Sequence, residues 1–332
     1  MEDTRHPLIS VQDLKVYFQG DFETARAVDG VSFEVFPEEI VCLVGESGCG
    51  KTVTALSILG LIAVPPGRIA GGKILFKRQN LLDLDESNFQ KIRGNQIAMV
   101  FQEPLTSLNP VFTIEDQIGE AIKIHTHMDG ESLRERCIQL LQDVGIPSAA
   151  ERLNDYPHQL SGGQRQRVMI AMALSCDPDL IIADEPTTAL DVTVQAQILQ
   201  LFQTLQQKRA LSVLYITHDL GVVANIARRV YVMYAGIIVE QGKTDRIFKM
   251  ARHPYTQGLL ASLPTRSKRG QRLHSIPGSV PDPAHKPDGC PFHPRCPHVI
   301  ENCRSHFPDL CDYSDGHLAR CPVLFGRKQE IG

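Results

Sequence analysis

The sequence predicts an α/β fold in which one strand–loop–helix core is interrupted by a helical insertion. The first observation is an apolar run, Ile40 to Val44, followed by a glycine-rich loop and the helical segment Val53 to Leu59. The second is the continuous apolar run Leu180 to Ala183, which suits a parallel strand buried on both faces. The third is a helical pattern from Glu103 to about Leu160, clearest in the amphipathic segment ESLRERCIQLLQDVGI.

Length and composition limit the possible classes of protein. The chain has 332 residues, which favours a main domain with an appendage, and 42% of them are hydrophobic, enough for a sizeable core. The formal net charge of −4 argues against a nucleic-acid partner. Residues 1–10 lack the pattern of a secretion signal, and no apolar stretch approaches the roughly 20 residues that span a bilayer. We therefore expect a cytoplasmic protein whose cysteines are thiols or metal ligands.

The remaining elements are predicted in order along the chain. Residues 8–44 alternate apolar and polar side chains, as half-buried strands do. A strand is predicted from Gln96 to Phe101, and alternating strands and helices resume from Leu180 to about Gly242. Beyond Thr244 the composition shifts to Pro, His, Arg and Cys, which indicates an appended region with little regular structure.

The glycine-rich loop fits the phosphate-binding pattern G-x-x-x-x-G-K-[ST]. Its glycines allow successive backbone N–H groups to face an anion, and the following helix N-terminus adds its partial positive charge. Lys51 can reach the β- and γ-phosphates of a nucleoside triphosphate, and the Thr52 hydroxyl can ligate Mg²⁺. A chance glycine-rich turn is the alternative, but the flanking strand and helix favour an ATP site. The predicted ATP-binding residues of this loop are Gly45, Glu46, Ser47, Gly48, Cys49, Gly50, Lys51 and Thr52.

An acidic pair follows the second buried strand. Asp184 is placed to hold Mg²⁺ through water, and Glu185, one residue later, is placed to polarise an attacking water molecule. Alone, such a pair would equally suit a solvated loop. Its combination with the phosphate loop indicates an ATPase.

The segment LSGGQ, Leu160 to Gln164, separates one class of phosphate-loop protein from the others. Its serine and glycines precede the helical segment RQRVMIAMAL, so it provides a second helix N-terminus suited to an anion. In isolation it could equally be a plain capped helix. With this motif, residues 8 to about 245 resemble the ATP-binding cassette (ABC) ATPases.

The resemblance implies roles for further residues. Gln102 matches the Q-loop, Ala189-Leu190-Asp191 the D-loop, and His218 the switch histidine. Phe18, rather than Tyr17, is the aromatic residue expected to stack on adenine, because neighbouring strand residues face opposite sides. Catalysis is expected from Glu185, His218 and Gln102, and Mg²⁺ binding from Thr52, Gln102 and Asp184. In a head-to-tail dimer, the partner's ATP would be bound by Ser161, Gly162, Gly163, Gln164 and Asp191.

The resemblance also implies the domain organisation. Residues 1–245 would form an ABC nucleotide-binding domain with a mixed sheet core, an antiparallel β subdomain and a helical subdomain at about 103–175. Residues 246–332 would form an irregular, cysteine-rich C-terminal extension.

Two stretches, Gln102 to Pro110 and Arg252 to Leu260, resemble the ATPases of dipeptide, oligopeptide and nickel importers. The expected partners are a paralogous ABC ATPase, two integral membrane permease subunits and, indirectly, an extracytoplasmic substrate-binding protein. The ATPase would lie peripherally on the cytoplasmic face of the inner membrane, with a permease helix docked near Glu103–Glu120. Dipeptides or short peptides are the expected cargo. The alternatives are a nickel or oligopeptide importer, or a stand-alone cytosolic ABC ATPase with a metal-sensing tail.

Five of the nine cysteines lie between Cys290 and Cys321. A loop-rich segment of this length often needs a metal staple, for which thiolates suit zinc or an iron–sulfur cluster. The spacing resembles the cysteine motif of the dipeptide-importer branch, which implies a [4Fe–4S] cluster with Cys311 as an extra thiol. Zinc, with nearby histidines, and unmetallated thiols remain alternatives. The cluster ligands implied by the resemblance are Cys290, Cys296, Cys303 and Cys321.

Overall fold

The computed structural model describes residues 6–188, 190–264, 275–314, 316–321 and 323. The strands within them are β1 (Ile9–Gln19), β2 (Thr24–Val35), β3 (Ile40–Val44), β4 (Gly67–Phe76), β5 (Gln79–Asn80), β6 (Ile97–Val100), β7 (Leu180–Asp184), β8 (Ser212–Thr217), β9 (Arg229–Tyr234), β10 (Ile237–Lys243), β11 (Cys311–Ser314) and β12 (His317–Ala319).

The helices are α1 (Lys51–Ile58), α2 (Glu86–Gln90), α3 (Pro104–Ser107), α4 (Ile114–Thr126), α5 (Gly130–Asp143), α6 (Ala149–Arg152), α7 (Gly162–Ala173), α8 (Val192–Arg209), α9 (Leu220–Ile226), α10 (Thr244–Met250), α11 (Pro254–Ala261) and α12 (Asn302–Ser305). Within the described ranges, no helix combines the length and the apolar character needed to cross a membrane.

The chain forms two compact units. The first comprises Met1–Val35, Ile40–Leu82 and Ile216–Gly332, and the second comprises Phe36–Glu39 and Asp83–Tyr215. The phosphate loop therefore belongs to the first unit, and the predicted helical insertion belongs to the second.

An antiparallel sheet with the strand order β2-β1-β4-β5 lies in the first unit. Its inward-facing side chains include Leu14, Val16, Val28 and Val31, which are all fully buried. Polar or partly exposed side chains alternate with them along β1 and β2. This alternation is the reason that half-buried strands could be predicted here.

The first unit also contains a mixed sheet. Strand β3 pairs in parallel with β9, and β9 pairs with β10 in antiparallel fashion. The C-terminal region extends this sheet, because β12 pairs with β10 and β11 pairs with β12. Little regular structure was predicted beyond Thr244, so these two strands and the helices α10, α11 and α12 are a difference from the expectation. The buried Glu240 carboxylate of β10 holds the C-terminal region against this sheet. It accepts hydrogen bonds from the backbone N–H groups of Arg252 and His253 and from the His317 ring.

Parallel strands and helices make up the second unit. Strand β6 pairs in parallel with β7, and every residue of β7 is buried. Complete burial explains the continuous apolar run from Leu180. Helix α4 begins at a capping box between Thr113 and Asp116, and α5 buries Leu133, Cys137, Leu140 and Leu141. The α/β prediction and the predicted helical insertion are confirmed.

Candidate functional site

The phosphate loop runs from the buried strand β3 into α1 and requires glycine at two positions. A Cβ atom on Gly45 would lie 2.2 Å from the carbonyl oxygen of Met233, so no side chain fits there. Gly50 caps α1 with a φ of +105°, and a Cβ on it would lie 2.4 Å from the carbonyl oxygen of Ala27. Both glycines let the backbone pass close to neighbouring strands, and Gly50 also adopts a conformation that other residues avoid.

Lys51 is almost completely buried at the first position of α1. Its ammonium donates hydrogen bonds to the carbonyl oxygens of Gly45 at 2.8 Å and Glu46 at 3.0 Å. Thr52 is exposed beside it. Burial raises the pKa of the Cys49 thiol to about 11, so this side chain is uncharged at neutral pH. The loop thus presents a lysine and a hydroxyl without an added thiolate charge.

Two aromatic side chains of β1 differ in their hydrogen bonding. The Tyr17 hydroxyl donates to Asp29 at 2.8 Å, and both burial and that carboxylate raise the pKa of Tyr17. Phe18 is half-buried, and its ring lies against Gly67, where an added Cβ would be 2.9 Å from the ring. Tyr17 is therefore engaged within the sheet. The assignment of Phe18 as the aromatic residue for adenine stays a prediction.

Two residues of the C-terminal region contact the phosphate loop, and the sequence analysis did not identify either of them. The Tyr255 hydroxyl accepts a hydrogen bond of 2.8 Å from the Glu46 backbone N–H. The Arg295 guanidinium donates to both carboxylate oxygens of Glu46, at 2.7 and 2.9 Å. These contacts join residues more than 200 positions apart, so no local pattern signals them.

The second unit contains the predicted acidic pair. Asp184 is buried at the end of β7, and Glu185 follows with a φ of +45°. This left-handed conformation is uncommon for glutamate, and such strained residues concentrate at functional sites. The Thr188 hydroxyl donates to the Glu185 carboxylate at 3.0 Å. Glu185 is therefore held in a defined orientation.

The LSGGQ segment forms the capped N-terminus of α7. The Ser161 hydroxyl accepts from the backbone of Gln164, and the Gln164 side chain accepts from the backbone of Ser161. Gly163 permits close packing, since a Cβ there would lie 2.7 Å from a methyl group of Val194 in α8. Both Ser161 and Gly162 are exposed, so this helix terminus is accessible.

The other predicted site residues lie at the ends of elements. Gln102 is exposed just after β6, and His218 is exposed just after β8. The Asp191 carboxylate caps α8 by accepting from the backbone N–H groups of Thr193 and Val194. Ala189 of the predicted D-loop lies outside the described residues. Phe18, the phosphate loop and His218 belong to the first unit, whereas Gln102, Asp184, Glu185, LSGGQ and Asp191 belong to the second.

A small cavity of the first unit is lined by four cysteines. They are the predicted ligands Cys290, Cys296, Cys303 and Cys321, and the lining does not include Cys311. Burial raises the pKa of the Cys290 thiol to about 11, and the neighbouring thiols of Cys303, Cys296 and Cys321 contribute to the rise. Among the described residues, no group of three or more His, Cys, Asp or Glu side chains is arranged to hold a metal ion. The structure therefore does not confirm the predicted iron–sulfur cluster.

Taken together, the glycine-rich loop on α1, the acidic pair after β7 and the capped LSGGQ helix define an ATPase of the ATP-binding cassette class. Comparison with known proteins supports that class. A family model described as ABC transporter matches residues 28–188, and one described as the oligopeptide/dipeptide transporter C-terminal region matches residues 239–303. The solved dimeric structure of the ATP-binding cassette MJ0796 bound to ADP and Pi is 28% identical, with a TM-score of 0.64 over 71% of this chain and 98% of that chain. The predicted nucleotide-binding fold is confirmed.

Two relatives match nearly the whole chain. The oligopeptide transport ATP-binding protein AppD of Bacillus subtilis (strain 168) is 50% identical over 314 residues, which is 95% of this chain and 96% of that protein. The dipeptide transport ATP-binding protein DppD of Escherichia coli (strain K12) is 49% identical over 314 residues, again 95% of this chain and 96% of that protein. The chain therefore belongs to the oligopeptide/dipeptide family of ABC transporter ATP-binding proteins, and it is an ATP-hydrolysing transporter component.

Proposed function

We propose that this chain couples ATP hydrolysis to the import of dipeptides or short peptides. The main support is that relatives named for oligopeptide and dipeptide transport match 95% of the chain with 50% and 49% sequence identity. The match includes residues 239–303, which fit the family model described as the oligopeptide/dipeptide transporter C-terminal region. A nickel importer or a stand-alone ATPase with a metal-sensing tail is the alternative, and neither is named among these relatives.

We assign the chemistry of hydrolysis to the predicted site residues. Lys51 would exchange its loop carbonyl partners for the β- and γ-phosphates, while Thr52, Gln102 and Asp184 would bind Mg²⁺ directly or through water. Glu185, oriented by Thr188, would polarise the attacking water molecule. His218 would orient that water and the γ-phosphate, and Phe18 would stack on adenine.

A second ATPase subunit would complete each site. One phosphate loop surrounds only part of a triphosphate, and the exposed N-terminus of α7 carries backbone donors that suit its far side. In a head-to-tail dimer, residues 161–164 of one subunit would reach the ATP of the other, with Asp191 holding the start of α8 nearby. We propose that the second subunit is a paralogous ABC ATPase.

The helical unit carries a surface suited to a membrane partner. Exposed apolar side chains cluster around α3 and α4, namely Leu105, Val111, Phe112 and Ile124. Phe112 and Ile124 line a groove of about 570 Å³ together with Met172 and the polar side chains of Gln117 and Lys123. A groove that combines apolar and polar lining residues suits an amphipathic helix. We propose that it receives the coupling helix of a permease subunit.

This docking defines the complex and its location. Two permease subunits would hold the ATPase pair peripherally at the cytoplasmic face of the inner membrane. An extracytoplasmic binding protein would deliver peptide from the other side and would select the cargo.

We also propose that the four cavity cysteines hold a [4Fe–4S] cluster. The support is that these four, without Cys311, line one largely enclosed space, and that soft thiolates are the ligands such clusters prefer. A four-iron cluster attaches each thiolate to a different iron, so its ligands need not converge on a single point as zinc ligands must. The cluster would act as a staple that orders the segment around it.

Co-purification tests the proposed importer function. A tagged full-length chain isolated from detergent-solubilised membranes of its own host should bring down a paralogous ATPase and two integral membrane subunits. The double variant Phe112→Ser/Ile124→Ser should lose most of the permease while basal ATPase activity persists, because it alters only the groove. Phe22→Ser is the matched control, since Phe22 is a fully exposed aromatic side chain of the first unit. Recovery of the chain without membrane subunits would favour the stand-alone ATPase.

A further inference from the structure

Glu46 places a carboxylate on the loop that must accept a triphosphate. It is the second residue of the phosphate loop, and its backbone carbonyl oxygen accepts a hydrogen bond from Lys51. An uncompensated carboxylate so close to the anion site would repel the phosphates, because like charges a few ångströms apart interact strongly where water is partly excluded. The loop therefore needs a cation beside Glu46.

Arg295 supplies that cation in a geometry fixed by several contacts. Its side chain is 5% exposed and pairs with Glu46 through both guanidinium nitrogens. The Nε atom donates to the carbonyl oxygen of Pro277 at 2.8 Å, and the guanidinium lies over the rings of Tyr234 and Phe292. A bidentate pair held in this way restricts the carboxylate more strongly than a flexible lysine would.

Tyr255 fixes the backbone of the same loop residue. Its side chain is fully buried, and its hydroxyl accepts from the Glu46 N–H at 2.8 Å. The Tyr255 ring packs against Tyr234 and Phe292, the two rings that also contact Arg295. Side chain and backbone of Glu46 are thus both held by one aromatic cluster of the first unit.

The position of Arg295 joins this arrangement to the cysteine cavity. Arg295 ends a short 3₁₀ turn, His293–Arg295, that lies between Cys290 and Cys296. Both of these cysteines line the cavity, as does Phe292. The segment that shapes the cavity is therefore the segment that brings the guanidinium to Glu46.

We propose that Arg295 is a positioning residue of the nucleotide site, which neutralises Glu46 and thereby allows the phosphate loop to bind MgATP tightly. The C-terminal extension, which matches the transporter family's C-terminal region, then also takes part in ATP binding. The role belongs to Arg295 acting through Glu46, and it requires no contact between the arginine and the nucleotide.

Calorimetric titration of the full-length chain with MgATP tests this proposal. Arg295→Gln should weaken binding by about tenfold, since it leaves a partly buried carboxylate without its charged partner. Adding Glu46→Gln to the same chain should restore the affinity to within about threefold of the unmodified protein, because the repulsive charge is gone. A purely structural arginine would not be rescued by this second substitution.

Arg320→Gln is the matched control. Arg320 is a half-buried arginine of the extension, and it donates to the carbonyl oxygens of Ile238 and Pro308 instead of to the phosphate loop. Its loss should lower the unfolding temperature without changing the MgATP affinity of the folded protein. Unchanged affinity in Arg295→Gln, or a loss that Glu46→Gln does not relieve, would overturn the proposal.

A milder variant covers the case in which Arg295→Gln does not fold. Arg295→Lys keeps the positive charge but cannot form the paired hydrogen bonds, so a loss of about threefold is expected. Glu46→Gln should remove that loss as well. An Arg295→Lys protein whose affinity is the same with glutamate and with glutamine at position 46 would contradict the inference.

Discussion

Glu185 is held in an uncommon backbone conformation directly after a completely buried strand. Its φ of +45° turns the chain sharply away from β7, and the Thr188 hydroxyl binds the carboxylate. A left-handed glutamate costs about 1 kcal/mol or more, which the surrounding structure must offset. The strain is understandable if the site needs this carboxylate in one orientation.

Glu185→Gln should abolish ATP turnover while leaving MgATP binding intact. The amide keeps the shape of the side chain but cannot polarise the attacking water molecule, so the hydrolysis rate should fall at least about a hundredfold. Phosphate release should be measured with the partner subunit carrying the equivalent change, because a working partner site would mask the loss. Glu151→Gln, on the exposed side of α6, is the control and should have no effect. Near-normal turnover would show that another group acts as the base.

At the scale of elements, the N-terminus of α7 depends on its fit against α8. The capping box of Ser161 and Gln164 satisfies the backbone at the start of α7, and Gly163 lets Val194 approach to van der Waals distance. Val194 is itself held by the Asp191 cap of α8. The accessible donors of the LSGGQ segment are therefore placed by two capped helices in contact.

Gly163→Ala should destabilise this helix pair. The added methyl group would lie 2.7 Å from a Cγ atom of Val194, a short and branched side chain that cannot easily move aside. The expected loss is about 1–3 kcal/mol in the free energy of unfolding, measured by urea denaturation. Val194→Ala in the same chain should recover most of it. Gly162→Ala is the matched control, because a Cβ on Gly162 would lie 3.8 Å from Leu190, an ordinary contact distance.

At the scale of the whole molecule, the C-terminal region is joined to the rest of the first unit through two carboxylates, the buried Glu240 and the partly buried Glu46. Glu240, which is fully buried, accepts hydrogen bonds from residues 252, 253 and 317. Burial lowers the pKa of His253 to about 4, so its ring is neutral and accepts from the backbone of Tyr255. Glu46 provides the second site through Arg295. The cysteine cavity belongs to the same region.

Replacing any one of the four cavity cysteines by serine should remove the proposed cluster. Protein purified without oxygen should be brown and contain about four irons per chain, and each Cys→Ser change should bleach it. The same changes should expose residues beyond about 285 to protease, because a thiolate staple orders the segment. Cys311→Ser is the matched control and should keep the colour, since Cys311 does not line the cavity. Colourless protein with stoichiometric zinc would show that the cysteines hold zinc and not the proposed cluster.

The sequence by itself determined the α/β class, the phosphate loop, the acidic pair and the LSGGQ helix. Each of these is contained in one short stretch, where spacing alone decides the local backbone and its chemistry. Buried strands such as β7 are predictable for the same reason, because burial on both faces requires a continuous apolar run.

Only the tertiary structure decided how the C-terminal region is attached. The Arg295–Glu46 pair spans 249 positions, the Tyr255–Glu46 bond 209, and the His317–Glu240 pair 77. Such contacts form only when strand pairing and burial bring distant parts of the chain together. No local sequence pattern around either residue indicates which residue it will contact. An arginine in a cysteine-rich loop is an ordinary surface residue until the fold buries it against a phosphate loop.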